Sequence, residues 1–142
     1  MEEYTSVKIA IRFNIEPISC PRPRFNRYTG RTFKTEGYAL FLDEIYYILL
    51  KQFPVKPMID KLLKVNKLVF SMPIAKTVSK KRHDYLLGQY YDGNKDLDNM
   101  QKAIFDAMND YIYVDDKQIV EINGCKKVYS DEPSIYIEME TV

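Results

Sequence analysis

The alternation of apolar and polar residues predicts three elements in the first half of the chain. Residues 7–15 alternate between the two classes, which is typical of a half-buried strand, and Pro17 ends the run. Residues 36–53 contain no proline and predict a helix that ends before Pro54. The apolar face of this helix is formed by Tyr38, Leu42, Ile45, Leu49 and Phe53. Residues 61–72 return to the pattern of a strand.

The second half of the chain begins with a long polar segment. Residues 73–94 have no apolar periodicity and predict a loop. Residues 99–109 predict a second helix, for which Asp98 is the best N-cap candidate. We expect the buried face of this helix to hold Met100, Ala103, Ile104, Ala107 and Met108.

Two strand-like patterns complete the chain. Residues 118–129 and 134–139 predict strands, joined as a hairpin by a turn at Asp131, Glu132 and Pro133. The order β-α-β-α-β-β predicts an α/β (α+β) fold, in which two helices pack on a mixed four-stranded sheet. We expect residues 1–142 to form a single domain.

Composition narrows the class of protein. No apolar run approaches the length of a membrane span, and the first residues lack the basic region of a signal peptide. The two cysteines, Cys20 and Cys125, have no nearby partner in the sequence, and the chain contains one histidine. A zinc site is therefore disfavoured, and we expect a reduced cytoplasmic protein without membrane partners. Nothing resembles a glycine-rich nucleotide-binding loop, so we expect no nucleotide cofactor.

The net charge of +1 hides an uneven distribution of charged residues. Residues 20–34 and 76–83 are basic and contain no acidic residue, whereas acidic residues collect in 92–121. Two interpretations remain open for the basic segments: a phosphate-binding surface beside an acidic site, or solvated loops. Their basic side chains include Arg22, Arg24, Arg27, Lys80, Lys81 and Arg82.

The acidic residues suggest a metal site. Asp96 and Asp98 lie two residues apart before the second helix, so we expect their side chains to project to the same side, with Lys102 one turn above Asp98. Asp115 and Asp116 precede a strand, and we expect them to face opposite ways. Carboxylates gathered without histidine or cysteine favour Mg²⁺, or Mn²⁺ in its place. The alternative is structural, because such aspartates also cap helices and form turns.

The order of these residues resembles a known family. Asp96-Leu97-Asp98-Asn99, Lys102, Phe105-Asp106-Ala107 and Asp115-Asp116-x-Gln118-Ile119 are together similar to the signature of the RusA family of Holliday junction resolvases. The segments 21–24 and 79–82 resemble the phage and Gram-positive branch of that family. One departure is Asn94-Lys95, where many related sequences have Lys-Pro before the first aspartate.

The resemblance implies a homodimeric, Mg²⁺-dependent endodeoxyribonuclease that makes paired cuts in four-way DNA junctions during recombination and repair. It implies that Asp96, Asp98 and Asp116 are catalytic and bind the metal, that Lys102 is catalytic, and that Asp115 and Asn99 support them. It implies DNA contacts by the basic residues named above. Two alternatives remain: a less selective Mg²⁺ nuclease acting on branched DNA, and a DNA-binding recombination accessory protein without cleavage activity.

Overall fold

The computed structural model describes residues 6–21, 24–25, 32–33 and 36–142. The strands and helices are β1 (Lys8–Phe13), β2 (Arg24–Phe25), β3 (Thr32–Phe33), α1 (Glu36–Gln52), β4 (Leu63–Pro73), α2 (Lys80–Leu86), α3 (Leu97–Met108), β5 (Ile119–Ile122), β6 (Cys125–Ser130) and β7 (Ser134–Thr141). The predicted fold class, helices with a mixed sheet, is confirmed.

The described part of the chain separates into two compact units. Unit 1 comprises Met1–Pro17, Asp60–Asn94 and Lys117–Val142. Unit 2 comprises Ile18–Ile59 and Lys95–Asp116. The main sheet and α2 belong to unit 1, and the β2–β3 pair, α1 and α3 belong to unit 2.

The sheet of unit 1 is organised around β4. This strand pairs antiparallel with β7 along one edge and parallel with β5 and then β6 along the other, while β1 pairs with the far edge of β7. Its buried side chains change phase, from Leu63 and Val65 to Leu68 and Phe70. A register shift between Val65 and Lys67 absorbs the change, so all four apolar side chains remain buried.

Two predictions about the last strands are wrong. The segment 118–129 is two strands, because Gly124 adopts a φ of 57° and interrupts the run between β5 and β6. The sheet therefore has five strands rather than four. The turn at 131–133 exists, but β6 and β7 do not form a hairpin, since β4 lies between them. Sequence proximity favours a hairpin here, but β4 pairs with β6 over six residues and with β7 over eight.

The prediction of a loop over residues 73–94 is wrong at its centre, where α2 forms. Ser79 caps this helix, its Oγ accepting a hydrogen bond from the Arg82 backbone N–H at 3.2 Å. Only Leu86 of the helix is buried, so the segment has no apolar periodicity to reveal it. His83 ties α2 to the turn after β6, with Nε2 at 2.5 Å from Asp131 Oδ1 and Nδ1 at 3.1 Å from Asp84 Oδ1.

In unit 2, α1 and α3 contact each other through their apolar faces. The buried residues of α1 are Tyr38, Phe41, Ile45 and Leu49, and those of α3 are Met100, Ala103, Ile104, Phe105 and Met108. The segment after α3 is held by backbone hydrogen bonds, since the N–H groups of Met58 and Ile59 donate to Tyr111 and Ile112. This pairing fixes the chain just before the predicted Asp115–Asp116 pair.

Candidate active site

The N-terminus of α3 positions the first two predicted aspartates, but the helix begins two residues earlier than expected. Asp96, not Asp98, occupies the N-cap position, and its carbonyl accepts the Met100 N–H at 3.1 Å. Because α3 begins at Leu97, this half-buried leucine lies on the same face of the helix as Met100. Asp98 is therefore helical, so the predicted extended geometry is wrong for Asp98, while Asp96 is extended as predicted.

Asn99 links the two aspartates of this first turn. Its side-chain Nδ2 donates to Asp96 Oδ2 at 3.4 Å, and its backbone N–H donates to Asp98 Oδ1 at 2.9 Å. The backbone carbonyl of Asn99 in turn accepts a hydrogen bond from the Cys20 N–H at 2.9 Å. Asp96 and Asp98 are both exposed, so their carboxylates are accessible to a ligand from solvent.

Lys102 lies one turn further along α3, between two carboxylates. Its Nζ is 2.9 Å from Asp106 Oδ1 and 3.9 Å from Asp116 Oδ2, and 57% of its side chain is exposed. The hydrogen bond to Asp106 raises the pKa of Lys102 against the opposing effect of partial burial. The ammonium is therefore charged at neutral pH and partly open to solvent.

Asp106 is itself held by a second residue. The hydroxyl of Tyr38 in α1 donates to Asp106 Oδ2 at 3.1 Å, leaving Oδ1 for Lys102. Burial raises the pKa of Tyr38, and contact with Cys20 and the negative charge of Asp106 raise it further. Tyr38 therefore remains a neutral donor. The i,i+4 spacing of Lys102 and Asp106 signals their contact, but the sequence does not reveal the role of Tyr38.

The second acidic pair differs from its predicted geometry. Asp116 begins a turn of 3₁₀ helix rather than a strand, and its carboxyl group lies close enough to that of Asp115 to have its pKa shifted, contrary to the prediction that they face opposite ways. Burial raises the pKa of Asp116, the neighbouring Asp115 carboxyl group raises it further, and the positive charge of Lys102 opposes both effects. Burial and a neighbouring carboxyl group both disfavour the charged form of Asp116, and a bound cation would oppose both effects.

The pKa of a buried tyrosine is affected by the same negative charges. The Tyr113 hydroxyl donates to the Phe105 carbonyl at 2.7 Å. Burial raises its pKa well above the usual range, and the negative charges of Asp116, Asp106 and Asp115 raise it further. The carboxylates of α3 and of the 115–116 pair therefore act on one region of unit 2.

The donor chemistry of this region fits a hard divalent cation, since it offers several carboxylate oxygens. Within the described residues, however, no group of three or more His, Cys, Asp or Glu side chains is arranged to hold a metal ion. The structure brings Lys102, Asp106 and Asp116 together, and separately joins Asp96, Asp98 and Asn99 by hydrogen bonds. The assignment of Asp96, Asp98 and Asp116 as joint ligands stays a prediction.

The predicted DNA-binding residues fall into two groups. Lys80, Lys81 and Arg82 are exposed on α2 of unit 1. The side chains of Arg22, Arg24 and Arg27 lie outside the described residues. Their contact with DNA stays a prediction.

Comparisons with known proteins agree with the motif. A family profile described as "Endodeoxyribonuclease RusA" matches residues 14–140. The chain is also similar to a Bacillus subtilis (strain 168) protein named "Uncharacterized protein YqaN", with 27% identity over 139 residues, covering 93% of this chain and 96% of the relative. No helix among the described residues is long and apolar enough to cross a membrane.

Proposed function

Because the chain belongs to the RusA family of endodeoxyribonucleases, we propose that it resolves four-way DNA junctions by paired, metal-dependent phosphodiester hydrolysis. The family is one of Holliday junction resolving endonucleases that generally depend on divalent metals. The observation that carries the proposal is the Lys102 ammonium between Asp106 and Asp116, in a region with excess negative charge.

Each residue of the site has a proposed task. Asp96, Asp98 and Asp116 would hold Mg²⁺, with Mn²⁺ as a substitute, and Asp115 and Asn99 would support them. A bound ion supplies Lewis-acid activation of the scissile phosphate and of the attacking water. Lys102 stabilises the negative charge that develops on the phosphate oxygens in the transition state.

A homodimer fits this task. A four-way junction has two symmetric scissile phosphates, and two protomers related by a two-fold axis supply two matching sites. Lys80, Lys81 and Arg82 would contact the phosphate backbone, as would Arg22, Arg24 and Arg27. Such contacts read the shape of the junction more than its sequence.

A cleavage assay tests the proposal. The protein is incubated with a labelled four-way junction or a matched duplex, in Mg²⁺ or EDTA. We expect symmetric cuts in the junction alone, and only with metal. Equal cutting of duplex and junction would support the less selective nuclease instead. With a cruciform plasmid, direct conversion to linear product indicates paired cuts, while accumulation of nicked circles contradicts them.

The variant Asp98→Asn separates cleavage from binding. It keeps an acceptor for the Asn99 N–H but removes a negative charge near the bound phosphate. We expect it to lose cleavage while binding the junction as tightly as wild type or more tightly. Asp43→Asn on the exposed face of α1 is the matched control. Loss of both activities in folded Asp98→Asn protein would contradict the assigned role, and retained cleavage would exclude it.

A further inference from the structure

Unit 1 carries a cluster of aromatic and basic side chains that the proposed cleavage chemistry does not use. Tyr85 on α2 is 63% exposed, and the Arg82 guanidinium lies 5.7 Å from its ring centroid. Ser79, Lys81, Arg82 and Tyr85 line a cleft of about 330 Å³. The volume lies at the small end of the range for ligand clefts.

A second aromatic group lies beside β6. The rings of Tyr91 and Tyr129 are 5.2 Å apart, and Lys127 Nζ is 5.3 Å from the Tyr91 centroid. Backbone hydrogen bonds fix this group, because the Tyr91 N–H donates to the Lys127 carbonyl and the Tyr129 N–H to the Gln89 carbonyl. The segment after α2 is thus held against β6.

Asp92 connects the two groups. The Tyr129 hydroxyl donates to Asp92 Oδ1 at 2.5 Å, and this hydrogen bond lowers the pKa of Asp92. The positive charges of Arg82 and Lys127 lower it further, so both basic side chains act on the same carboxylate. The Gly88 N–H, two residues after α2 ends, donates to the Tyr129 carbonyl at 3.0 Å, so the Arg82–Tyr85 pair and the Lys127–Tyr91–Tyr129 group lie near each other in unit 1. We name the two groups together the tyrosine surface.

Acidic neighbours of the tyrosine surface already have partners. Asp92 accepts from Tyr129, and Asp84 on α2 contacts His83. Exposed aromatic rings bordered by cations suit nucleic-acid strands whose bases are unstacked, because every base offers a π-face and every nucleotide a phosphate.

We propose that the tyrosine surface stacks unpaired bases of branched DNA, with Tyr85 as the main stacking side chain and Arg82 and Lys127 on the adjacent phosphates. This inference rests on the proposed function and names the part of the substrate that the surface reads. Fully paired duplex offers no unstacked base, so the surface favours DNA that is open at a branch point.

Binding measurements in EDTA test the inference without cleavage. The probes are a duplex with a four-thymine bulge, a fully paired duplex and a four-way junction. We expect Tyr85→Ala to weaken binding of the bulged duplex by about fivefold or more and to leave the paired duplex unchanged. Tyr85→Phe keeps the ring and should bind like wild type. Tyr47→Ala, which removes a 65% exposed tyrosine of α1, is the matched control.

The variant Arg82→Gln tests the proposed phosphate contact in the same binding assay. We expect it to weaken bulged and paired DNA alike and to reduce the salt dependence of binding. Unchanged bulge binding by Tyr85→Ala, or an equal loss on paired duplex, would overturn the inference, as would a Phe variant that behaves like Ala. If junction cleavage is absent but the Tyr85 effect on bulged DNA persists, the proposed function fails and the stacking surface stands.

Discussion

The Lys102 ammonium is held at unequal distances from two carboxylates, and the nearer one has no assigned catalytic role. Asp106 lies at 2.9 Å and Asp116 at 3.9 Å. Because Tyr38 occupies the other oxygen of Asp106, this carboxylate has one orientation in which it serves both donors. We therefore expect Asp106 to act as a positioning residue that holds Lys102 near Asp116.

Replacing Asp106 with Asn should slow cleavage without weakening DNA binding. Asparagine retains an acceptor for Tyr38 but loses the charge that holds Lys102. We expect the single-turnover rate on a junction to fall about ten- to a hundredfold, because a misplaced catalytic group costs about that much. The dissociation constant of the junction should stay within about twofold of wild type.

Stability measurements separate this effect from a folding defect. An exposed i,i+4 pair contributes about 0.5 kcal/mol or less, so the free energy of unfolding should change little. Asp43→Asn is again the control, and Asp106→Glu should recover part of the rate. A parallel loss of rate and binding would show that Asp106 only maintains the fold.

The sequence names candidate site residues but does not reveal their contacts. The motif nominates Asp96, Asp98, Lys102 and Asp116 because their spacing is local or nearly so, and their roles stay a prediction. The contact of Tyr38 with Asp106 joins residues 68 positions apart. Apolar periodicity places Tyr38 in a buried helix face, but it cannot show which polar group its hydroxyl meets.

At the scale of elements, α2 shows the limit of hydrophobic patterning. A helix with one buried residue is stabilised by its cap and by attachments at its ends rather than by an apolar stripe. Besides the Ser79 cap, α2 is held by His83, whose ring contacts Asp84 of the helix and Asp131 of the turn after β6. Both carboxylates belong to unit 1, so the tie is local to that unit.

The His83 tie predicts a pH-dependent contribution to stability. The hydrogen bond to Asp131, and then that to Asp84, raises the pKa of His83 above 6.5. The folded state therefore binds the proton more tightly, and the stabilisation is complete below the unfolded pKa and lost as pH rises through the folded value. From about pH 6 to about pH 8, we expect Tm to fall more in wild type than in His83→Gln.

The control for this prediction is Lys81→Gln, which changes an exposed charge of the same helix. Its Tm should follow the wild-type dependence on pH. The cavity beside His83 also contains Lys76 and Lys80, so the measurement is made at fixed ionic strength. Parallel curves for wild type and His83→Gln would exclude the tie as a source of stability.

Gly124 provides a second element-scale prediction. Its φ of 57° disfavours any side chain, and a Cβ there would lie 3.2 Å from the Asn66 carbonyl oxygen. We expect Gly124→Ala to lower the free energy of unfolding by about 1–2 kcal/mol, measured by urea denaturation. Gly37→Ala in α1 meets nothing within 4 Å and should stabilise by about 0.5 kcal/mol. Equal effects of the two changes would contradict this account.

At the scale of the whole molecule, the sequence predicts the class of fold better than the order of strands. Periodicity identifies β1, α1, β4, α3 and β7 close to their observed bounds. The position of β4 between β6 and β7 depends on pairing energies between distant segments, which a single-sequence pattern does not contain. The prediction that residues 1–142 act as one domain stays a prediction.

Metal binding should stabilise the whole molecule if the carboxylates of unit 2 hold the ion. A ligand at a hundredfold excess over its Kd adds about 2.7 kcal/mol to the free energy of unfolding. We expect Mg²⁺ to raise the Tm of wild type at constant ionic strength, and Asp116→Asn to abolish most of that rise. An equal rise in both proteins would place the ion elsewhere.

The central position of β4 also constrains when the sheet can form during synthesis. Each strand pairing described in the main sheet involves β5, β6 or β7, so β1 and β4 have no sheet partner until residues 119–141 have been translated. A ribosome-bound chain that ends before residue 119 therefore presents β4 with two open edges. Such edges template association between chains, so nascent fragments of this length should depend on chaperones for solubility.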